Sequence, residues 1–442
     1  MKKRILSIII AAVTVFAAIP FASGCGGRRE GVLTIWWPGG SQEIAALHRA
    51  AELYRELNPD VRFNIVPRPT TNFFMEYMFA VQGRNYPDIA FVDSVFVQQL
   101  AFEGIITNLS TFDAEINTDI REQIVESLWP ANLYRGDAFA LPVSANVLSL
   151  VYNKTLLRRV YQEVLGIEWT EDMVPTTWEE LMAACEVIVQ YNELQGLTGL
   201  DALIPYTIPA GAGNESMGAM AFVSMIERMG GRIMSEDVRE MRLYSDEYRE
   251  ANLAAARKIQ ELGQRGFSTS TFQEQRFEAG TVGFIEMGSW RIDQYALITE
   301  TLGHEFGFAP MVSLTEGGSN ASALGLFSMV STAGGINEAL AVDFMKFFVT
   351  NDEVMLLHNK PQNLLPVTNS AIADEFFHSG DIWPVYREQL NHIVARPGSP
   401  AWAGMERQFA EFVTGLISGH RQPDYLRDLH VYFSRRLQEL YR

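Results

Sequence analysis

The chain has 442 residues, with 35 Lys and Arg against 53 Asp and Glu, a formal charge of −18. Hydrophobic residues make up 48% and aromatics 11%, which excludes a disordered chain; the acidic balance argues against a nucleic-acid binder, which needs a basic footprint to meet phosphates. At roughly 150 residues per domain, two or three folding units are expected, and two cysteines, Cys25 and Cys185, are too few for a zinc module or a disulfide scaffold.

Lys2, Lys3 and Arg4 precede the almost wholly apolar run Ile5 to Ala18, which Pro20 ends. Residues 1–24 read as a secretory signal, not as a fold element. Ala22-Ser23-Gly24 before Cys25 resembles a bacterial lipobox, with Ala22 where such boxes carry Leu. The resemblance implies cleavage before Cys25, a lipid on its thiol, and residues 25–30 as lipidated cysteine and tether. An uncleaved anchor helix, or cleavage near Ala22, is the alternative. The apolar run is short of the ~20 residues a spanning helix needs, and no later window is long and apolar enough. Cys185, in a helical pattern with Leu181, Met182 and Ile188, reads as a buried free thiol.

Val32 to Trp37 is a β-rich run ended by Pro38-Gly39-Gly40. Ser41 is placed to cap the helix that follows, whose Ile44, Leu47, Ala51, Tyr54 and Leu57 form one apolar face. Val61 to Pro67 reads as the next strand, so a β-loop-α-β unit and a mainly parallel sheet are expected. Phe73 to Gln82 is helical, Asp88 to Val92 a strand with Asp93-Ser94 at its end, and Val95 to Phe102 a helix. Ala138 to Pro142 and Val147 to Tyr152 are strand-like, and Thr177 and Glu180 have capping-box spacing. Helices follow over 222–229 and 250–262. Strands follow at Thr281 to Met287, Phe306 to Val312 and Leu326 to Ser331. Asn337 to Val349 is a helix with Leu340, Phe344, Phe347 and Phe348 on its apolar side. From Trp402 the chain is mostly helical, broken at Ser418-Gly419-His420.

Signatures of bond chemistry are weak. No two of the histidines at 48, 304, 358, 378, 392, 420 and 430 have metal-ligand spacing, and none is near a cysteine. There is no Gly-x-Ser-x-Gly elbow and no P-loop; Gly211-Ala212-Gly213 lacks the third glycine of a dinucleotide site. Carboxylates are numerous, but no spacing selects a hydrolase pair. Tryptophans beside turn glycines at strand ends stand out instead: Trp36 and Trp37 before Pro38-Gly39-Gly40, Trp290 after Gly288-Ser289, and Trp402 after Pro400. Ligands of open α/β sheets bind beyond the carboxyl ends of strands. A sugar's C–H face stacks on an indole while its hydroxyls take Asp, Asn or Glu partners. The competing reading is that each Trp fills the core.

An ordered set of segments resembles a known family. It comprises Leu33-Thr34-Ile35-Trp36, Tyr86 to Asp93 (YPDIAFVD), Gly104 to Leu109 (GIITNL), Ala140-Leu141-Pro142 and Leu150 to Lys154 (LVYNK). It continues with Pro175 to Leu181 (PTTWEEL), Gly283 to Trp290 (GFIEMGSW), Phe306 to Pro310 (FGFAP) and Asn337 to Phe344 (NEALAVDF). The set runs through nearly all of the chain after the signal and is similar to the extracellular solute-binding proteins of carbohydrate ABC transporters.

The resemblance implies an α/β, two-lobed fold of the type II periplasmic-binding-protein kind, its discontinuous lobes joined by hinge crossovers. Residues 31–143 plus 319–359 form lobe 1, 147–313 plus 366–442 form lobe 2, and 144–146, 314–318 and 360–365 cross between them. Hinge closure is the associated motion. By position, Trp36, Trp37, Ser41 and Glu43 line the cleft after the first strand. Asp93 and Ser94 follow the third, Asn146 lies at a crossover, Asn214 in a Gly/Ala loop, and Trp290 and Trp402 are stacking platforms. An aspartate is missing just after the first strand, with Glu43 close by. The implied function is an exported, lipid-tethered binding component of sugar import. It faces the periplasm or cell exterior and delivers a saccharide to membrane permease subunits. No cofactor, metal, nucleic acid or catalysis is expected, and a monomer is. The alternatives are a secreted glycosidase and a sensor lipoprotein presenting its ligand to a receptor.

Overall fold

The computed structural model describes residues 29–69 and 73–442; the expected signal segment and Cys25 lie outside the described residues. The strands used below are β1 (Val32–Pro38), β2 (Arg62–Arg68), β3 (Ile89–Asp93), β4 (Leu141–Asn146), β5 (Leu148–Asn153), β6 (Ile204–Thr207), β7 (Val282–Gly288), β8 (Phe306–Ala309), β9 (Ser322–Ala323), β10 (Gly325–Ser331) and β11 (Ile393–Val394). The first sheet has five strands in the order β2-β1-β3-β10-β4. β1 pairs parallel with β2 and β3, as the β-loop-α-β pattern requires. β10 runs antiparallel between β3 and β4, so the sheet is mixed rather than mainly parallel. A strand returning from far along the chain can enter in either direction, and its own residues do not encode which. The second sheet has four strands in the order β8-β5-β7-β6, with only β6 and β7 parallel.

The helix Ser41–Leu57 buries Leu47, Ala51 and Tyr54 of the expected stripe, but its N-cap is Gly40; Ser41 is its first residue and caps nothing. Thr177 and Glu180 form the expected capping box of Trp178–Gln195. Within that helix Cys185 is a fully buried free thiol, its pKa pushed up by burial. Arg249–Gln264, Glu338–Thr350, Trp402–Ile417 and Tyr425–Leu440 are helices where the spacing placed them, while Glu215–Arg228 begins seven residues before the expected Phe222.

Each sheet carries a large core on one face and a smaller apolar cluster on the other. Apart from Val95, whose side chain alone reaches into the second core, the chain changes core three times. Val147 packs in the first core and Leu148 in the second; Ala323 in the second and Leu324 in the first; Leu390 in the first and Ala401 in the second. The first change adjoins the expected 144–146. The second lies beyond 314–318, because Met311, Val312 and Leu314 still fill the second core. Residues 360–365 do not leave the first core. Val367, Phe377, Trp383 and Tyr386 pack there, although 366–390 was expected in lobe 2. Burial of these large aromatic surfaces holds the segment, and helix periodicity does not say which sheet a helix covers.

The crossings lie side by side. Leu148 N donates to Ser322 Oγ at 2.9 Å, β9 pairs with β11, and Leu324 N donates to Val394 O at 2.9 Å. Ala145 and Leu365 exchange backbone hydrogen bonds of 2.8 and 3.0 Å. The segment expected to cross therefore flanks the crossings instead.

His358 is buried at the edge of the first core, its ring 5.4 Å from Trp37 and 5.8 Å from Phe348. Burial penalises the imidazolium and lowers its pKa to about 3. The folded state thus holds His358 neutral where an unfolded chain, at an ordinary value of about 6.5, protonates it. This stability contribution is whole above the unfolded value and is lost as pH falls from there towards the folded one. Unfolding free energies from urea titrations of wild type and His358→Leu should converge or cross on acidification, their difference moving by roughly 3 kcal/mol by about pH 4. Parallel pH profiles would contradict the assignment.

Candidate functional site

Successive residues of a strand face opposite sides of its sheet, so the two adjacent indoles of β1 separate. Trp37 is fully buried in the first core, 4.4 Å from the Phe91 ring, and offers no platform. Trp36 lies on the other face among Phe73, Tyr77 and Val92, 6% exposed. The Arg68 guanidinium sits 3.9 Å from its ring centroid and pairs with Glu76 at 3.0 Å. Beyond the strand, a Cβ on Gly40 would stand 3.1 Å from Glu43 Oε2, so the glycine turn and the half-buried Glu43 are closely packed. Ser41 is exposed.

Asp93, one of the polar residues expected at strand ends, is held by a residue the sequence reading missed. Arg396, two residues past β11, is 6% exposed. Its Nη2 pairs with Asp93, the last residue of β3. Its Nε donates to Leu324 O at 3.1 Å, and its Nη1 to Ser216 Oγ at 3.3 Å and Glu406 Oε1 at 3.5 Å. Asp93 also accepts from Val95 N at 3.3 Å, which fixes the turn holding the buried Ser94. Asn146, 7% exposed at the end of β4, faces Gly325 across the sheet, one residue from the Leu324 carbonyl that Arg396 grips. A Cβ on Gly325 would lie 2.0 Å from Asn146 Oδ1, so glycine is what lets the amide fit. Asn214 begins the helix that carries Ser216 but makes no side-chain cap.

Burial raises the pKa of Glu406, with Arg396 opposing; Ser216 and Trp402 also act to lower it. Trp402, one turn earlier in the same helix, is fully buried in the second core, 6.1 Å from Phe409. It forms a wall beneath this group rather than an exposed plate. The signal available for Arg396 was a lone cation in the Pro/Gly-rich link Arg396 to Pro400 of an acidic chain; of its acceptors only Glu406 is near in sequence.

Trp290 stands where β7 meets the first crossing. Gly288 pairs with Leu148, and Ser289 Oγ donates to Asn363 O. Trp290 is half-buried, and its ring lies so close over Gly288 that a Cβ there would be 1.7 Å from it. On the Ser94 side of Arg396 a cavity of about 430 Å³ is lined by Gln98, Ala131, Val223, Ile226 and Ile393, and by no tryptophan. A second buried ion pair stays within one lobe: Arg228 Nη2 to Glu286 Oε1 at 3.2 Å, with Tyr206 Oη donating to the same oxygen at 2.5 Å. Among the described residues no group of three or more His, Cys, Asp and Glu is arranged for a metal, and no helix is long and apolar enough to cross a membrane.

The model of the bacterial extracellular solute-binding protein family matches residues 49–382. A maltotriose-binding protein of Pyrococcus abyssi is 22% identical over 401 residues, covering 88% of this chain and 78% of the relative. The crystal structure of a cyclic alpha-maltosyl-1,6-maltose binding protein from Arthrobacter globiformis superposes with a TM-score of 0.75 at 23% identity, covering 92% of this chain and 98% of the other. An ABC substrate-binding protein of Listeria monocytogenes, solved with cycloalternan, superposes with a TM-score of 0.73 at 17% identity, covering 92% and 98%. With a family match over most of its length and the two-lobed architecture of these structures, the chain belongs to the bacterial extracellular solute-binding proteins.

Proposed function

We propose that this protein binds a saccharide between its two lobes and delivers it to the permease of an ABC importer. The observation that carries the reading is the convergence at the lobe junction. A half-buried indole (Trp290), a carboxylate (Asp93), an amide (Asn146) and a hydroxyl (Ser94) stand at strand ends beside the crossings. Flat apolar surface with a few fixed polar groups suits a sugar ring. The relatives named for maltotriose, cyclic alpha-maltosyl-1,6-maltose and cycloalternan support an α-linked oligosaccharide. Asn214, Ser41 and Glu43 complete the site at its margins.

In this reading the protein is exported and held by a lipid on Cys25, acts as a monomer and performs no bond chemistry. Lobe 1 is centred on the first core and lobe 2 on the second. The hinge is the set of crossings at 147–148, 323–324 and 390–401, about which the lobes close on the ligand.

Titration with maltotriose should quench or shift tryptophan fluorescence. Trp290→Ala and Asp93→Ala should each weaken affinity by about tenfold or more, the loss of one stacking or charge-assisted contact. If both variants bind as wild type, the site is misassigned. Gly288→Ala, which displaces the indole without removing it, should reproduce much of the Trp290→Ala defect while leaving the thermal midpoint nearer to wild type. Turnover of a chromogenic glycoside by purified protein would replace this reading with a hydrolase.

A further inference from the structure

We infer that Arg396 is a positioning residue that ties the two lobes together and thereby sets how far the cleft closes before any ligand is bound. The inference follows from which groups hold its guanidinium. Asp93 ends β3 of the first sheet, and Leu324 begins the return of the chain to the first core. Ser216 and Glu406 belong to the helices Glu215–Arg228 and Trp402–Ile417, which build the second core. Every nitrogen of the guanidinium therefore has a protein acceptor, some from each lobe, and the tie is complete without a ligand atom. Arg396 itself springs from the third crossing, so it moves wholly with neither lobe.

The contact around it is continuous. Val95, next to the Asp93 turn, packs into the second core. A Cβ on Gly398 would lie 2.8 Å from the Gln98 side chain, and the Phe102 ring is 6.0 Å from Tyr441. Water exclusion by these contacts strengthens the pairing of Arg396 with its carboxylates. Opening the lobes would separate Asp93 from Glu406 and strip the guanidinium of the acceptors of one side. A buried charge deprived of a partner is unfavourable, so the tie biases the ligand-free equilibrium towards closure. The buried pair Arg228–Glu286 is the internal contrast, since all its partners lie within lobe 2 and lobe motion leaves it intact.

The proposal rests on the hinged two-lobe reading but not on the identity of the ligand, and its test is arranged accordingly. Small-angle scattering and interlobe FRET are measured on ligand-free wild type, Arg396→Met, which keeps the apolar stem, and Asp93→Asn, which removes only the lobe 1 charge. The expected result is a larger radius of gyration and longer interlobe distance in both variants. The ligand-free closed fraction should fall about tenfold, as expected for the loss of one charge-assisted contact. Arg228→Met is the control, expected to lower the thermal midpoint without expanding the molecule. Ligand-free variants as compact as wild type, or a wild type already as extended as the variants, overturn the proposal. If Arg396→Met fails to fold by circular dichroism, Asp93→Asn carries the same comparison. A separate titration with maltotriose reads the saccharide assignment, so loss of that assignment leaves the scattering result standing.

Discussion

Backbone hydrogen bonds that lay three chain crossings side by side are the constraint on which the rest of this molecule depends. Leu148 is bound to Ser322, β9 to β11, and Leu324 to Val394. The two cores are thereby joined by one ribbon of backbone, flanked by side-chain contacts such as Phe102 on Tyr441 and Tyr386 on Phe308. Each lobe has a closely packed interior, and in the proposed hinge the few φ and ψ angles at the crossings would absorb relative motion. Asp93 and Asn146 at their strand ends, and Trp290 just past the end of β7, adjoin this ribbon.

Two buried arginines show how the same chemistry does different work by location. Arg228 and Glu286, with Tyr206, satisfy one another inside the second lobe. Such a pair fixes a core arrangement, and its net contribution to stability is small because desolvation offsets attraction. Arg396 makes comparable bonds across the junction. There the desolvation depends on the lobe arrangement itself, so the pair couples to conformation rather than to folding alone. The adjoining cavity is lined by aliphatic side chains together with polar ones, Gln98, Glu227 and Arg232 among them, and by no indole.

The tryptophans illustrate why a residue type at a promising place is not yet a contact. Trp36 and Trp37 are neighbours in β1, and strand alternation sends one to each face. Core packing took Trp37 completely and cation–π stacking by Arg68 covered Trp36. Trp402 likewise went into the second core, where its helix needs a large apolar residue against Phe409. Trp290, whose ring lies directly over Gly288, keeps part of its surface exposed.

Local order was legible in the residues alone. The helix over Phe73–Gln82, the capping box at Thr177 and Glu180, the buried thiol of Cys185 and most strand positions follow from periodicity and capping chemistry, which act within a few residues. The ordered segments also pointed to the family and its two-lobed fold. Tertiary structure decided the rest. The direction of β10, the place of the second and third crossings, and the assignment of Phe377, Trp383 and Tyr386 to the first core depend on which distant surfaces bury one another. Arg396 is the plainest case. Nothing within ten residues in sequence except Glu406 holds it, and its tie to Asp93, Ser216 and Leu324 exists only because folding brings groups from both sheets to one point where water is excluded.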